Sequence, residues 1–318
     1  MKPKVYIDGE VGTTGLRIRG WLGERTDLEL LSIPLAHRKD PSARREHALA
    51  SDVTVLCLPD DAAREAAEWT EGTRVRLVDA STAHRVAGGW VYGLPELAPG
   101  QREAIAGASR VSNPGCYAAA FLLLMRPLLD AGLASPDVAP AVHGLSGYSG
   151  GGRALIERWE SPELRLAALP YEAPYSLGRV HKHVPEMVRW SGLRAEPQFV
   201  PAVGAFACGM RVQVPLPAAS LPAGSDARAV WKTLRERYEG EPFVRLAPLE
   251  APAEPDEVAF DPRRCNDTNR VELHVVAHPS GHVLLIAILD NLGKGAAGTA
   301  IQSLNLMLGI PETTGLAV

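Results

Sequence analysis

The stretch KVYIDGEVGTTGLRIRG, residues 4–20, decides the fold. Val5, Tyr6 and Ile7 are β-branched or aromatic and read as a strand, and from Thr13 onward the apolar residues take a helical spacing. Between them Gly9, Gly12 and Gly15 make a GxxGxxG turn. Such a turn, leaving a strand and opening a helix, suits a dinucleotide: glycine lets the backbone approach a pyrophosphate, and the helix N-terminus meets its charge. A plain glycine-rich β-α turn is the other reading, and the strand and helix on either side favour the nucleotide.

Outward from this turn the chain keeps alternating. Residues 28–34 read as a strand, 41–50 as a helix, 53–59 as a strand, 60–72 as a helix and 74–81 as a strand. Repeated β-α-β predicts a Rossmann-type parallel sheet covered by helices. After Cys116 the rhythm changes. DVAPAVHG (137–144) reads as a strand entering the loop LSGYSGGG, 199–217 as strand, 226–240 as an amphipathic helix, and 270–290 as two strands around a Pro-Ser-Gly turn. The mixture predicts a second, α+β domain with a mixed or antiparallel sheet. Proline-rich stretches at 215–227 and 250–262 read as surface connections, and the last helix, 295–309, as a return to the first domain.

Composition sets outer bounds. The 318 residues carry a net charge of -4, with 46% hydrophobic and 22% charged residues, the profile of a soluble protein of two domains or one large one. No run of lysine or arginine exceeds two residues, which argues against nucleic-acid or membrane-surface binding. The longest apolar runs, Ala118 to Met125 and Val283 to Leu289, are too short to span a bilayer. The chain enters a strand at once, so a cytoplasmic location is expected. Cys57, Cys116, Cys208 and Cys265 stand far apart without a CxxC pair, which fits a reducing compartment and no zinc site.

An NAD enzyme places a carboxylate at the end of the second strand to hold the ribose 2′-hydroxyl. Here that end reads LLSIPLAHRK, residues 30–39. Glu29 comes too early, whereas Ser32, Arg38 and Lys39 suit a 2′-phosphate, so NADP(H) is the expected cofactor. The expected domains are residues 1–115 with 290–318 for NADP, and 116–289, to which the resemblance described below assigns catalysis and oligomerisation.

SNPGCYAAAFLLLM, residues 112–125, sets a Pro-Gly break before a run of helix formers and puts Cys116 near a helix start. Most buried cysteines are packing, but free N–H groups and the helix dipole at this position stabilise a thiolate. A base for such a thiol stands in GRVHKHVPEM (178–187), where His181 and His183 are followed by Glu186. Two imidazoles and a carboxylate with no further ligand are a thin metal set, and no metal is expected.

GEVGTTG, YGLPEL (92–97), SNPGCYA, GLSGYSGGG (144–152), HKHVPE and DNLGKGAAGTAIQSLNLMLG (290–309) stand in one order along nearly the whole chain. In this the sequence resembles the N-acetyl-gamma-glutamyl-phosphate reductase family of arginine biosynthesis, in its shorter form. Aspartate-semialdehyde dehydrogenases, of similar architecture, match less well at HKHVPE. The resemblance implies an NADP-dependent oxidoreductase of two domains, a homodimer or homotetramer, acting on a small molecule. It implies Cys116 as nucleophile and His183 as acid/base, with His181 and Glu186 shaping the site and holding substrate. It further implies Gly12, Thr13, Thr14 and Gly15 at the pyrophosphate, and Ser146, Gly147 and Asn291 near the nicotinamide. Arg85, in DASTAHR, is a candidate for the substrate's charged groups. The rival functions are a relative acting on aspartyl phosphate or a carrier-bound acyl phosphate, an NADP sensor without chemistry, and a cysteine hydrolase on a dinucleotide fold.

Overall fold

A computed structural model of the chain describes residues 2–163, 170–249 and 257–318. It divides into two compact units, Met1–Pro114 with Ala296–Ala317, and Gly115–Gly295.

Unit one begins β1 (Lys4–Asp8), α1 (Thr13–Gly23), β2 (Glu29–Leu31), α2 (Pro41–Ala50), β3 (Val53–Leu56), α3 (Asp60–Trp69) and β4 (Arg76–Asp79). It continues through β5 (Val91–Tyr92), α4 (Gln101–Gly107) and β6 (Arg110–Ser112). The strands form one parallel sheet in the order β2-β1-β3-β4-β6-β5. Val5, Ile7, Val53, Val55, Leu77, Val78 and Val111 are all buried, as strands covered on both faces require. The order reverses direction at β1 and β3, so the carboxyl ends of those strands open the crevice in which folds of this kind bind ligands. Gly9 follows β1 directly there.

Unit two holds α5 (Cys116–Asp130), β7 (Ala141–Gly147), α6 (Arg153–Trp159), β8 (Glu172–Pro174), α7 (Val184–Ser191), β9 (Gln198–Gly204) and β10 (Met210–Leu216). After these come α8 (Ala227–Tyr238), β11 (Val244–Leu246), β12 (Val271–Ala277) and β13 (Val283–Leu289). Its sheet is mixed, in the order β11-β12-β13-β10-β7-β9-β8. Every residue of α5 from Tyr117 to Met125 is buried, since the helix packs on β10 and β13 and against α7 and α8. Pro127 lacks the N–H that would reach the Leu123 carbonyl one turn back, and the Tyr238 hydroxyl donates to that carbonyl instead at 2.6 Å.

A π turn, Gly293–Ala297, leads into α9 (Gly298–Leu308), which returns to unit one. Arg25 donates to Asn305 at 2.6 Å and Gln302 to the buried Glu96 at 2.9 Å, fastening the helix there. No helix among the described residues is long and apolar enough to cross a membrane.

The structure corrects several sequence expectations. The strand expected over 199–217 is two, β9 and β10, which do not pair with each other because β7 lies between them. The break falls before Gly209, whose φ of +116° only glycine adopts freely. Leu145–Gly147, expected in a loop, continue β7. Short β5, β6, β8 and β11 and the helices α4 and α6 carry too few residues to show a period. Of the connection expected at 250–262, residues 250–256 lie outside the described residues.

Candidate active site

In unit one the glycine turn has two kinds of glycine. Gly9 has a φ of +89°, and a Cβ on it would stand 2.3 Å from the Cys57 carbonyl oxygen. A Cβ on Gly15 would meet the Gly9 oxygen at 2.5 Å. The protein's own backbone thus demands glycine at both. At Gly12, the exposed N-cap of α1, the nearest atom would lie at an ordinary 3.5 Å, so packing leaves room for a side chain. The first turn of α1, with Thr13, Thr14 and Gly15, has neither a side-chain cap nor an acidic residue. Open amides and a bare backbone at the mouth fit a pyrophosphate.

Asp8, buried at the end of β1, would oppose such an anion if left alone. Arg44 of α2 neutralises it with paired contacts, Nε to Oδ1 at 2.9 Å and Nη2 to Oδ2 at 3.0 Å. Sequence reading missed this pair, whose members stand 36 residues apart. Ser32, Arg38 and Lys39 are exposed beyond β2, and Asp40, next in the chain, accepts the Ser42 amide hydrogen to cap α2. Arg85 is buried after β4, donating to the Ala80 carbonyl at 3.3 Å. In the same loop Asp79 accepts from Ser81 at 2.7 Å and His84 at 2.6 Å, and His84 stacks on Trp90.

Unit two gathers Cys116, His181, His183 and Glu186. Cys116 is the first residue of α5, and Gly115 is its N-cap. Gly295 makes the thiol's position possible, since a Cβ there would come within 2.7 Å of the Cys116 Cβ. His183 is the N-cap of α7 and Glu186 its third residue. The carboxylate of Glu186, 1% exposed, accepts the Gly115 amide hydrogen at 2.9 Å, so the starts of α5 and α7 are joined. The His183 amide donates to His181 Nδ1 at 3.1 Å, and His181 Nε2 lies 3.3 Å from the Tyr175 hydroxyl. The two imidazole rings meet edge to face, 4.7 Å between centres, beside the ring of Tyr117.

Tyr175 and Tyr117 were not singled out in the sequence. Burial, and then the charge of Cys116, push the Tyr175 hydroxyl up to about 12, so it stays protonated at neutral pH. Burial likewise pushes Tyr117 well above its ordinary range. Among the other cysteines, burial raises Cys57 and pushes Cys265 up to about 11, which keeps both as inert thiols. Ser146, Gly147 and Asn291 form a second group in unit two. Asn291 accepts the Gly209 amide hydrogen at 2.8 Å and donates to Ser149 at 3.0 Å, and a Cβ on Gly150 would touch both Ser146 and Asn291. A Cβ on Gly147 would stand 2.3 Å from the Ala207 carbonyl oxygen. No group of three metal-ligating side chains occurs among the described residues.

Unit two thus holds a thiol at a helix start and a histidine at the start of the helix tied to it, and unit one, by itself, holds an open cradle suited to an anion. Residues 116–291 match the semialdehyde dehydrogenase dimerisation domain and residues 34–108 the semialdehyde dehydrogenase NAD binding domain. N-acetyl-gamma-glutamyl-phosphate reductase 2 of Nostoc sp. is 47% identical, with 99% of each chain covered. The enzyme of that name from Pseudomonas putida is 46% identical over 98% of this chain and 99% of the relative. Aspartate semialdehyde dehydrogenase II of Vibrio cholerae shares the fold, with a TM-score of 0.71 at 17% identity over 97% of this chain and 99% of the other. So does aspartate semialdehyde dehydrogenase of Candida albicans, solved with NADP, at a TM-score of 0.66 and 16% identity over 97% and 99%.

Proposed function

The chain belongs to the N-acetyl-gamma-glutamyl-phosphate reductase family of the semialdehyde dehydrogenases, and from that premise we propose that it reduces N-acetyl-γ-glutamyl phosphate to N-acetylglutamate 5-semialdehyde. The observation that carries the reading is Cys116 at the first residue of α5, tied through Gly115 and Glu186 to the helix that begins at His183.

The Cys116 thiolate attacks the acyl carbon and expels phosphate, leaving a thioester on the enzyme. Amides of the first turn of α5 stabilise the oxyanion as it forms. NADPH, when bound, supplies the hydride that takes the thioester to a thiohemiacetal. His183 holds the proton that the thiohemiacetal oxygen exchanges as the sulfur leaves. His181 and Glu186 shape the site around the substrate, and Arg85 is a candidate for its charged groups. Gly12, Thr13, Thr14 and Gly15 would hold the pyrophosphate, Ser32 and Arg38 the 2′-phosphate, and Ser146, Gly147 and Asn291 the nicotinamide side. NADP rather than NAD is favoured by the want of a carboxylate at the end of β2.

A homodimer or homotetramer suits the second sheet. One of its faces is covered by α5 and α8, whereas Val276, Leu284 and Pro215, in register across β12, β13 and β10 on the other, stay partly or fully exposed. A second copy would cover that apolar row.

The deciding assay runs the reaction backward: NADP reduction with phosphate and either N-acetylglutamate semialdehyde or aspartate semialdehyde. Turnover with the first and little with the second is expected. A preference for aspartate semialdehyde would replace the substrate assignment, and NADP binding without turnover would favour a sensor.

A further inference from the structure

Resting on the reading of His183 as the acid/base, we propose that Tyr175 is a positioning residue that acts through His181 on His183. A chain of hydrogen bonds carries the argument. It starts at the His183 amide, which only donates, and passes to His181 Nδ1 at 3.1 Å. From His181 Nε2 it reaches the Tyr175 hydroxyl at 3.3 Å. Tyr117, whose ring lies beside that of His181, gives its own hydrogen to the Ala202 carbonyl at 2.8 Å.

The amide at the start of this chain fixes which nitrogen of His181 can hold a proton. Nδ1 of His181 must be bare to receive the amide hydrogen. In the neutral ring Nε2 then carries the proton and gives it to the oxygen of Tyr175. His181 is thereby locked as a neutral imidazole of one tautomer, and its ring holds the backbone at the residue from which the His183 side chain springs. Protonating Nδ1 would break the contact, so His181 is unsuited to carrying the reaction's proton.

Tyr175 is built to serve this. Its amide donates to the Pro201 carbonyl at 3.0 Å, and the preceding Pro174 is in register with Ala202. The next residue, Ser176, takes a φ of 55°, a left-handed conformation that is uncommon outside glycine and that turns the chain sharply away after Tyr175.

The test uses the full-length enzyme labelled with ¹⁵N in histidine, with Tyr175→Phe, His181→Asn, His183→Asn and the double variant of the first two. His181 is expected as the Nε2–H tautomer, and Tyr175→Phe should shift it toward a mixture. Tyr175→Phe should lower kcat roughly tenfold with KM nearly unchanged, and have little further effect once His181 is Asn, the pattern of residues acting in one network. An Nδ1–H tautomer in the unaltered enzyme, equal losses in both backgrounds, or a rise in KM alone would each overturn the proposal. Should Tyr175→Phe fail to fold, the tautomer of the unaltered enzyme decides. Full turnover by His183→Asn would remove the acid/base reading and leave the tautomer result standing.

Discussion

Glu186 accepts the amide hydrogen of Gly115 at 2.9 Å, so the third residue of α7 caps the start of α5. A glutamate at this position ordinarily reaches back to the N-cap amide of its own helix. Here that amide, of His183, is taken by His181, and the carboxylate is released to cross to the neighbouring helix. Glu186→Gln keeps an acceptor but removes a negative charge close to the thiol, so the pH midpoint for alkylation of Cys116 should fall. Glu186→Ala strands the Gly115 N–H and should cost about 1–3 kcal/mol in denaturant unfolding. A rise in KM with an unmoved alkylation profile in Glu186→Gln would mean that the carboxylate serves the substrate instead.

Cys116→Ser should abolish acyl transfer while folding and NADP binding persist, because a serine hydroxyl is hardly ionised at pH 7. With that variant as the blank, the alkylation midpoint of Cys116 is expected below the ordinary thiol value of about 8.5. Turnover by the serine enzyme would dismiss the nucleophile.

The two kinds of glycine in the turn predict opposite phenotypes. Gly12→Ala should unfold like the unaltered protein yet bind NADPH more weakly, measured by calorimetry. Gly9→Ala, with its Cβ driven into the Cys57 carbonyl at a positive φ, should lose stability first.

Arg38→Ala should narrow the margin by which NADPH binds more tightly than NADH. Equal affinities in the unaltered protein would show that the exposed residues after β2 hold no 2′-phosphate.

His274 on β12 gives an acid-sensitive element. Burial holds its imidazole below the ordinary range, with Glu272 pulling the other way and Arg264 adding to the fall. The unfolded chain then binds the proton more readily than the folded one, so stability should drop as pH falls through about 6.5, the unfolded value. His274→Gln should flatten that part of the curve of unfolding midpoint against pH, and an identical curve would exclude the residue.

What was legible in the sequence was local. β1, the glycine turn and α1 are set by adjacent residues, and Cys116 by the Pro-Gly break before a run of helix formers. Strands such as β5, two residues long, leave no period to read. The run 199–217 is apolar on both sides of its break, so only the pairing of β7 between its halves reveals two strands. The polar ties of the site were hidden for a related reason: Tyr117 meets Ala202 across 85 residues, and Glu186 meets Gly115 across 71. Such partners are chosen by the sheet and the helix packing, which no neighbouring residue announces.

The chain leaves unit one after Pro114 and re-enters it at Ala296, and both ends of the excursion are close neighbours. On the unit-one side the Asn113 side chain donates to the Ala296 carbonyl at 2.9 Å; on the unit-two side Gly295 crowds against Cys116. Unit two is thus laid out as an insertion whose entry and exit share one doorway, the arrangement that lets a whole domain be spliced into a host without disturbing the host's own strands. The residue proposed as nucleophile is the second residue of that inserted stretch, one step past the point at which the chain leaves unit one.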